Sequence, residues 1–376
     1  MQPKDFSRRK HFPGLLGGSF AIFLHADERI ERIPALAFAG LLCLLALIPT
    51  RADLPLALGL WIFFLSDWVL LAALPRAGKS FGPAKPQTFV LAIPRALFAV
   101  LPLPFSLIAE IIGTALVVYG FWIEPHRLRV TQQTLQSAKL KPGAPPLRVL
   151  HLGDLHIERM TDRERQVVDY ARSLKPDLIL FSGDFLSFSH VHDPVTWDHA
   201  RQVLRELSAP LGVYAVTGSQ PVDEPSVVAQ LLDGLDIRWL RDERISLNHH
   251  DQRIDIVGVT CTHKPHLDGA TLDDILHGDP DDFTILLYHT PDLAPIAAQQ
   301  GVDLQLSGHT HAGQVRLPWF GAIYTSSLYY KRFEAGRYAL GALTLYVTRG
   351  IGLEGRAAPR VRFLCSPEIV LWEISA

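Results

Sequence analysis

The sequence has few cysteines and no excess of basic residues. Its three cysteines, Cys43, Cys261 and Cys365, are far apart and form no Cys-x-x-Cys pair, which argues against a disulfide framework or a cysteine zinc site. The 36 Lys and Arg residues are balanced by 38 Asp and Glu residues, giving a net charge of −2. Nucleic-acid-binding proteins usually have a basic face, so no nucleic-acid partner is expected.

What the sequence does have is long hydrophobic runs near its N-terminus. Residues 33–50 carry no charge and residues 54–74 carry only Asp67, and both runs approach the roughly 20 residues that cross a bilayer as a helix. A third apolar region, residues 88–122, is interrupted by prolines and by Arg95. It forms either one long span or two short ones, so the sequence predicts an N-terminal bundle of three or four transmembrane helices.

Basic residues beside these runs indicate an orientation. They precede the first run, follow the second and follow the third: Lys4, Arg8, Arg9, Lys10, Arg29 and Arg32; Arg76, Lys79 and Lys85; Arg127, Arg129, Lys139 and Lys141. Short cytoplasmic loops collect Lys and Arg, so all three segments are expected in the cytoplasm. An even number of crossings follows, which favours four spans with an outer turn at residues 101–104. The predicted location is the inner (cytoplasmic) membrane, multi-pass, with a cytoplasmic catalytic domain.

Two acidic residues, Asp67 and Glu110, fall inside the predicted spans. An ionised group in a membrane is costly and is usually paired, and Arg95 is the expected partner. A structural polar contact between helices is favoured over a substrate or lipid role.

The character of the chain changes after residue 124. Residues 125–146 are polar and end in Lys-Pro-Gly-Ala-Pro-Pro, which is typical of a linker. The predicted domains are therefore a membrane region at 1–124, a linker at 125–146 and a soluble domain at 147–376. In the last of these, β-rich runs at 147–153, 177–183, 212–218, 253–260, 283–289, 302–308, 343–350 and 368–374 accompany helical stretches at 162–174 and 195–207. This alternation predicts an α/β layered domain with a second sheet packed on the first.

Asp and His residues occur at or just past the ends of several predicted strands. They are Asp154, His156, Asp184, His289, His309 and His311. Strand ends form one rim of an α/β sheet, where loop residues converge on a ligand. Carboxylates and imidazoles without thiolates suit Mn, Fe or Zn in a hydrolytic site. Six ligands exceed the usual three of one catalytic ion, so two divalent metal ions are expected, and a carboxylate such as Asp184 can bridge them. The expected chemistry is hydrolysis of a phosphoester or pyrophosphate.

Several phrases carry a family resemblance. They include GDLH at 153–156, SGD at 182–184, YHTPD at 288–292, SGHTHAGQVRLP at 307–318, YVTRGIG at 346–352 and PEIVLWEI at 367–374. The sequence resembles the calcineurin-like metallophosphoesterase superfamily, and within it the membrane-anchored YkuE-like group. This resemblance implies a four-layer α/β/β/α metallophosphoesterase domain preceded by transmembrane helices. It implies that Asp154, His156 and His311 bind one metal with bridging Asp184, and that His289 and His309 bind the second. Manganese is the expected metal, with iron or zinc as alternatives.

One block, residues 218–221 after the third predicted strand and called here the third block, departs from the family pattern. Where relatives have Gly-Asn-His-Asp, this chain has Gly218-Ser219-Gln220-Pro221, so Ser219 replaces the Asn that ligates the second metal and Gln220 replaces the His that aids phosphate chemistry. Ser219 could still offer a weak hydroxyl ligand, and Gln220 could still donate to a phosphoryl oxygen, but Gln cannot protonate a leaving group. Asp184, Ser219 and Gln220 are the candidate catalytic residues.

Two function hypotheses follow. The first is a membrane-anchored, metal-dependent phosphoesterase or pyrophosphatase acting on a phosphorylated small molecule or a lipid-linked substrate, such as a UDP-diacyl-sugar. The second, motivated by Ser219 and Gln220, is a catalytically impaired membrane protein that binds metal and phosphate. Arg349 precedes Gly350-Ile351-Gly352, where the backbone could approach a substrate phosphate closely or simply form a structural turn. The sequence favours neither role for Arg349. The remaining patternless histidines, His151, His249, His250, His263 and His266, are expected to be structural or exposed.

Overall fold

The computed structural model describes residues 27–353 and 360–376. Contacts divide these residues into two compact units, named here the helical unit (27–126 with 360–362) and the sheet unit (127–353 with 363–376). Four of the basic residues used to predict the orientation, Lys4, Arg8, Arg9 and Lys10, lie outside the described residues.

The helical unit contains four apolar α-helices. They are α1 Ala35–Leu47, α2 Leu54–Ala73, α3 Lys85–Phe98 and α4 Leu103–Val117, the last continued by π and 3-10 turns to His126. Asp53 caps α2 by accepting a hydrogen bond from the Leu56 backbone amide (3.2 Å), and Pro55 occupies the first turn.

Two stretches in the described part of the chain are long and apolar enough to cross a membrane: Leu54–Ala73, with 20 residues, and Leu103–His126, with 24. By contrast α1 has 13 residues and α3 has 14, with Pro94 inside it. At about 1.5 Å per residue these helices fall short of a hydrocarbon layer roughly 30 Å thick. A bundle of three or four spanning helices is therefore not confirmed, although the turn expected near residues 101–104 does separate α3 from α4.

The polar residues of the helical unit pair with one another. The Arg95 guanidinium is buried between the Asp67 carboxylate (Nε to Oδ2, 2.6 Å) and the Glu110 carboxylate (Nη1 to Oε2, 2.6 Å). It also donates to Thr114 Oγ1 at 2.9 Å. The partner expected from the sequence is thus the one found, and it links α2, α3 and α4.

The sheet unit consists of two six-stranded mixed sheets and a small hairpin. The strands are β1 Arg129–Gln136, β2 Leu147–Leu152, β3 Leu178–Phe181, β4 Val213–Ala215, β5 Arg238–Trp239, β6 Glu243–His249, β7 Gln252–Gly258, β8 Phe283–Leu287, β9 Leu304–Ser307, β10 Arg316–Leu317, β11 Gly321–Ala322, β12 Gly336–Leu340, β13 Leu343–Val347 and β14 Glu368–Ser375. The α-helices are α5 Asp162–Ser173, α6 Pro194–Arg205, α7 Pro225–Leu232, α8 Pro265–Ile275 and α9 Ala294–Ala297. The first sheet has the order β1-β14-β2-β3-β4-β5 and the second β12-β13-β9-β8-β7-β6. Each run predicted as a strand contains one.

Alternating side chains divide the sheet unit into layers. Val149 and Leu178 of the first sheet share a buried cluster with Ile254 and Phe283 of the second. Their neighbours point the other way, and a separate cluster covers each outer face: Leu150 and Ile179 pack with α5, α6 and α7, whereas Val257 and Leu286 pack with α8 and α9. Alternation along a strand places successive side chains on opposite faces, so the arrangement is helix, sheet, sheet, helix. This is the four-layer order expected for the domain.

The segment 125–146, expected to be a linker, contains strand β1. It pairs in parallel with β14, from Arg129 opposite Glu368 to Gln136 opposite Ser375. Its sequence, RVTQQTLQ, buries only Leu135, because it forms the outer edge of the sheet. An edge strand with polar side chains lacks the apolar alternation by which strands are found in a sequence.

Candidate metal centre

The six predicted metal ligands all lie on loops that leave the carboxyl ends of strands. Asp154 and His156 follow β2, Asp184 follows β3, His289 follows β8, and His309 and His311 follow β9. Strands β2 and β3 are parallel, as are β8 and β9, so within each sheet these loops leave one edge. The structure brings the ligand atoms into two groups, each within 4.8 Å: Asp154, His156 and His311 in the first, and Asp184, His289 and His309 in the second.

The Asp184 carboxylate of the second group also faces the first group. Its Oδ2 is 3.3 Å from His289 Nε2 and 3.4 Å from His156 Nε2. The carboxylate is 1% exposed, so water screens these contacts little. One oxygen therefore faces both groups.

The backbone at five of these six residues adopts a left-handed conformation. The φ angles are 50° at Asp154, 42° at His156, 61° at Asp184, 70° at His309 and 49° at His311. Non-glycine residues adopt this region in only a few per cent of cases, and Asp and His are among the more tolerant types. Strained residues of this kind concentrate at functional sites.

Hydrogen bonds and close contacts hold the two aspartates. Asp154 accepts from the His309 backbone amide (2.9 and 3.1 Å to Oδ1 and Oδ2), and Asp184 Oδ1 accepts from the Ser219 amide at 2.7 Å. A side chain at Gly218 would collide with Asp184 Oδ1, and one at Gly308 would collide with Asp154 Oδ2. Glycine at both positions allows the loops to approach the carboxylates.

Asp223 is a residue of the centre that the sequence did not reveal. Its carboxylate accepts hydrogen bonds from the backbone amides of Gly218 (2.7 Å), Asp184 (2.7 Å) and Phe185 (3.0 Å). It thereby ties the loop after β4 to the loop after β3. Its only signal was an Asp in a short loop between Pro221 and Pro225, which is not distinctive.

Burial and neighbouring charges shift the pKa values of the centre. Burial raises the pKa of Asp154 to about 6, against the opposing effect of His289. Burial also acts to raise the pKa of Asp184, but the charge and hydrogen bond of His289 hold it below its ordinary value. For His289, burial acts to lower the pKa, and the Asp184 carboxylate outweighs it and raises the pKa to about 9. Burial, with His263 and His289 nearby, lowers the pKa of His309. An ionised Asp184 beside a protonated His289 is a pair whose proton a cation would displace.

The donor atoms fit divalent cations. His156 Nε2 and His311 Nε2 are 3.0 Å apart, with ring centroids 4.8 Å apart. Each neutral imidazole has one N–H and one lone pair, and two lone pairs directed at one point are the arrangement that a cation requires. Imidazoles with carboxylates and no thiolate suit Mn, Fe or Zn.

Of the two substituted residues in the third block, Ser219 has close contacts with the centre. Ser219 Oγ lies 3.2 Å from His289 Nε2 and 3.3 Å from His309 Nδ1. Gln220, the next residue, is exposed on the turn that follows. Ser219 therefore occupies the place expected for the missing Asn, whereas the role expected for Gln220 stays a prediction.

Arg349, His151 and His263 differ in how close they lie to the centre. The Arg349 guanidinium pairs with Glu368 Oε2 (2.5 Å) and donates to Thr131 Oγ1 (3.3 Å), which favours the structural interpretation. His151 is fully buried, with Nε2 3.0 Å from Ser182 Oγ, as expected of a structural residue. His263, expected to be structural or exposed, instead lies beside the centre, its ring centroid 4.9 Å from that of His309. Like the six ligands it follows the end of a strand, β7, and that position was the available signal.

Comparisons with known proteins agree with this geometry. A family model for calcineurin-like phosphoesterases matches residues 147–313, which include all six predicted ligands. The uncharacterized metallophosphoesterase YkuE of Bacillus subtilis is 31% identical over 277 residues, covering 69% of this chain and 89% of YkuE. The UDP-2,3-diacylglucosamine pyrophosphatase LpxG of Chlamydia trachomatis is 26% identical over 311 residues, covering 68% of this chain and 91% of LpxG. A transmembrane protein with metallophosphoesterase domain from Danio rerio is 27% identical over 353 residues, covering 87% of this chain and 77% of that protein.

The resemblance expected from the GDLH, SGD and GHTH phrases is thus confirmed, and it extends well beyond those phrases. The two mixed sheets of this protein, with the six candidate ligands gathered past the strand ends, are consistent with the same family. The chain belongs to the calcineurin-like phosphoesterase family, with YkuE and LpxG among its homologues.

Proposed function

We propose that this protein is a membrane-anchored, metal-dependent phosphoesterase or pyrophosphatase with two divalent cations. The observation that carries the proposal is the gathering of six buried or half-buried ligands into two groups, with Asp184 Oδ2 close to a histidine of each group. Phosphoester hydrolases often use two cations about 3.5–4 Å apart, and a carboxylate between the ions is a common bridge.

Each residue has a defined task in this proposal. Asp154, His156 and His311 would hold one cation, His289 and His309 the other, and Asp184 both, while Ser219 offers its hydroxyl to the second. Two such cations, preferably Mn, would supply an activated water nucleophile and neutralise the phosphoryl oxygens. Asp223 orients Asp184 through its backbone, and His309 orients Asp154 through its own amide. With these side chains held in place beforehand, little reorganisation is needed when a phosphoester binds.

The test is metal analysis of the detergent-purified chain beside Asp184→Ala, with hydrolysis of bis-p-nitrophenyl phosphate followed in manganese. About two cations per chain with turnover that Asp184→Ala abolishes is the expected result. As a matched control, Asp233→Ala changes an exposed aspartate of the same unit and should leave both values unchanged. A correctly folded wild-type protein with neither metal nor turnover would contradict the proposal.

A lipid-linked pyrophosphate, such as a UDP-diacyl-sugar, is the proposed substrate class. The relative LpxG is named a UDP-2,3-diacylglucosamine pyrophosphatase, which is an activity on such a compound. The hairpin of β10 and β11, which begins five residues after His311, exposes Trp319 completely and Phe320 by half. Exposed aromatics of this kind suit contact with acyl chains or the bilayer interface.

Trp319→Ser should lower kcat/KM for a diacyl substrate and leave kcat/KM for bis-p-nitrophenyl phosphate unchanged. An equal loss of kcat/KM on both substrates would argue against this substrate class.

Membrane anchoring rests on the helical unit. Most of the large apolar side chains that are exposed belong to residues 27–126, among them Leu36, Leu44, Ile62 and Val69. Such a surface is unfavourable in water and suitable for lipid. Two stretches have the length to cross. Inner-membrane location with a cytoplasmic catalytic domain predicts that alkaline phosphatase fused to the C-terminus in a bacterial host stays inactive; an active fusion would place that end outside.

A metal- and phosphate-binding protein without turnover is the second candidate. It is favoured by Ser219 and by the exposed Gln220, because neither can act as the general acid that a histidine supplies. Phosphate binding to the manganese-loaded protein without hydrolysis of any ester would identify this alternative. A large gain of activity in Ser219→Asn, Gln220→His would show that the native site is impaired.

A further inference from the structure

His263 lies at the edge of the second ligand group, on the loop between β7 and α8. Its ring centroid is 4.9 Å from that of His309 and 6.4 Å from that of His289. The centroids of His289 and His309 are themselves 4.9 Å apart, so the three rings surround a common space. His263 is half-buried, which leaves it reachable from solvent.

The backbone at His263 has the left-handed conformation found at five of the six ligands, with a φ of 58°. The loop is held in this form by Asp268 on α8, which accepts from Thr262 at both the backbone amide (3.0 Å) and the hydroxyl (2.5 Å). Asp268 Oδ2 is fixed in turn by the Tyr288 hydroxyl at 2.6 Å, next to His289. Strain maintained by such surroundings is typical of functional residues.

His263 belongs to neither of the two ligand groups in the described chain. It therefore lies beside the atoms that would hold the second cation, with its ring nearer to His309 than to His289. The third block lacks a histidine for that purpose, since Ser219 is short and Gln220 is exposed.

We propose that His263 donates an N–H hydrogen bond to the phosphoryl group bound at the second cation, and so takes the place of the histidine missing from the third block. The inference rests on the proposed two-cation site and adds a residue that contacts the substrate. A neutral imidazole has one such donor, and phosphate oxygens accept readily. His263 comes from the loop after β7 rather than from the loop after β4, so the same chemistry is delivered by a different element.

The test compares His263→Ala, His263→Asn and the control His250→Ala, which changes an exposed histidine with a similar φ of 48°. The manganese content of each full-length protein is measured by mass spectrometry, and the affinity for inorganic phosphate by calorimetry on the manganese-loaded protein. We expect unchanged metal content, phosphate affinity lowered about 10- to 100-fold in His263→Ala, and substantial recovery in His263→Asn, because its amide can still donate. His250→Ala should match the wild type.

Two results would overturn the inference. Unchanged phosphate affinity in His263→Ala would show that the ring makes no contact with phosphate, and loss of one metal would make it a cation ligand instead. In both cases wild-type protein that binds two metals leaves the proposed function intact. Wild-type protein that binds no metal would refute the proposed function itself, and the inference with it.

Discussion

The hydroxyl of Ser219 lies 3.2 Å from Nε2 of His289, and the backbone amide of Ser219 donates to Asp184 Oδ1 at 2.7 Å. The chain thus presents residue 219 to the second ligand group whatever its side chain. The Ser219 side chain is shorter than that of Asn and has no carbonyl oxygen. Its hydroxyl is a weaker ligand than an amide oxygen for a hard cation.

Ser219→Asn should therefore strengthen binding of the second cation by about tenfold, within the range of 10- to 100-fold known for residues around metal sites. Calorimetric titration of the metal-free protein with manganese measures the change in affinity. Ser219→Ala is the matched control and should bind the second cation no better than wild type. An Asn variant as weak as the Ala variant would mean that residue 219 does not face the cation.

Asp223 positions Asp184 through three backbone hydrogen bonds. Asp223→Ala leaves three buried amides without this acceptor, each costing about 1–3 kcal/mol when unsatisfied. We expect a lower free energy of unfolding and a 10- to 100-fold loss of manganese affinity. Denaturant unfolding and metal titration measure the two effects, with Asp233→Ala as an exposed control. Unchanged metal affinity would show that the loop holds Asp184 without Asp223.

The predictable part of the centre is the part that local sequence specifies. Asp154 and His156 follow a buried strand directly, and His309 and His311 do the same, so short phrases fix both identity and position. Asp223 and His263 reach the centre through contacts distant in sequence: Asp223 touches residues 184 and 185, and His263 approaches His289 and His309. No period or motif encodes such contacts, because they depend on how loops fold over the strand ends.

The fold, like the centre, has parts that local sequence predicts and parts that it does not. Strands β2, β3, β8 and β9 are almost entirely buried, and their Leu, Ile, Val and Phe residues mark them as strands in the sequence. Strand β1 has an exposed polar surface and is recognisable only by its pairing with β14. In the helical unit, hydrophobicity predicted helices correctly but not their lengths, since α1 has only 13 residues and α3 only 14.

His151 should make the protein less stable in acid. Burial lowers its pKa to about 3, below the ordinary 6.5. The His151 side chain is therefore protonated near pH 6.5 in the unfolded chain but only near pH 3 in the folded chain. Its contribution to the free energy of unfolding is fully present above pH 6.5 and is lost as the pH falls from 6.5 towards 3. The slope from this residue is up to about 1.4 kcal/mol per pH unit. Unfolding free energies at pH 7, 6 and 5 should fall less steeply in His151→Gln, whereas the exposed His250→Gln should parallel the wild type; parallel curves for all three proteins would rule out this contribution.

The Arg95 guanidinium is 2% exposed and satisfies two carboxylates from different helices, Asp67 and Glu110. Arg95→Leu would leave both acidic groups buried without a cation, and breaking a buried pair in this way costs about 3–5 kcal/mol. Arg95→Lys should recover only part of this loss, because an ammonium cannot form the paired contacts that the guanidinium makes to Asp67 Oδ1 and Oδ2.

The decisive comparison for this cluster is the triple variant Asp67→Asn, Arg95→Leu, Glu110→Gln, which removes every charge at once. Because an uncharged amide costs less to bury than an unpaired carboxylate, we expect it to unfold at a higher denaturant concentration than Arg95→Leu alone. Unfolding in detergent, with manganese content as a control for the sheet unit, measures the difference. A triple variant less stable than Arg95→Leu would mean that the carboxylates stabilise the helices by contacts other than those with Arg95.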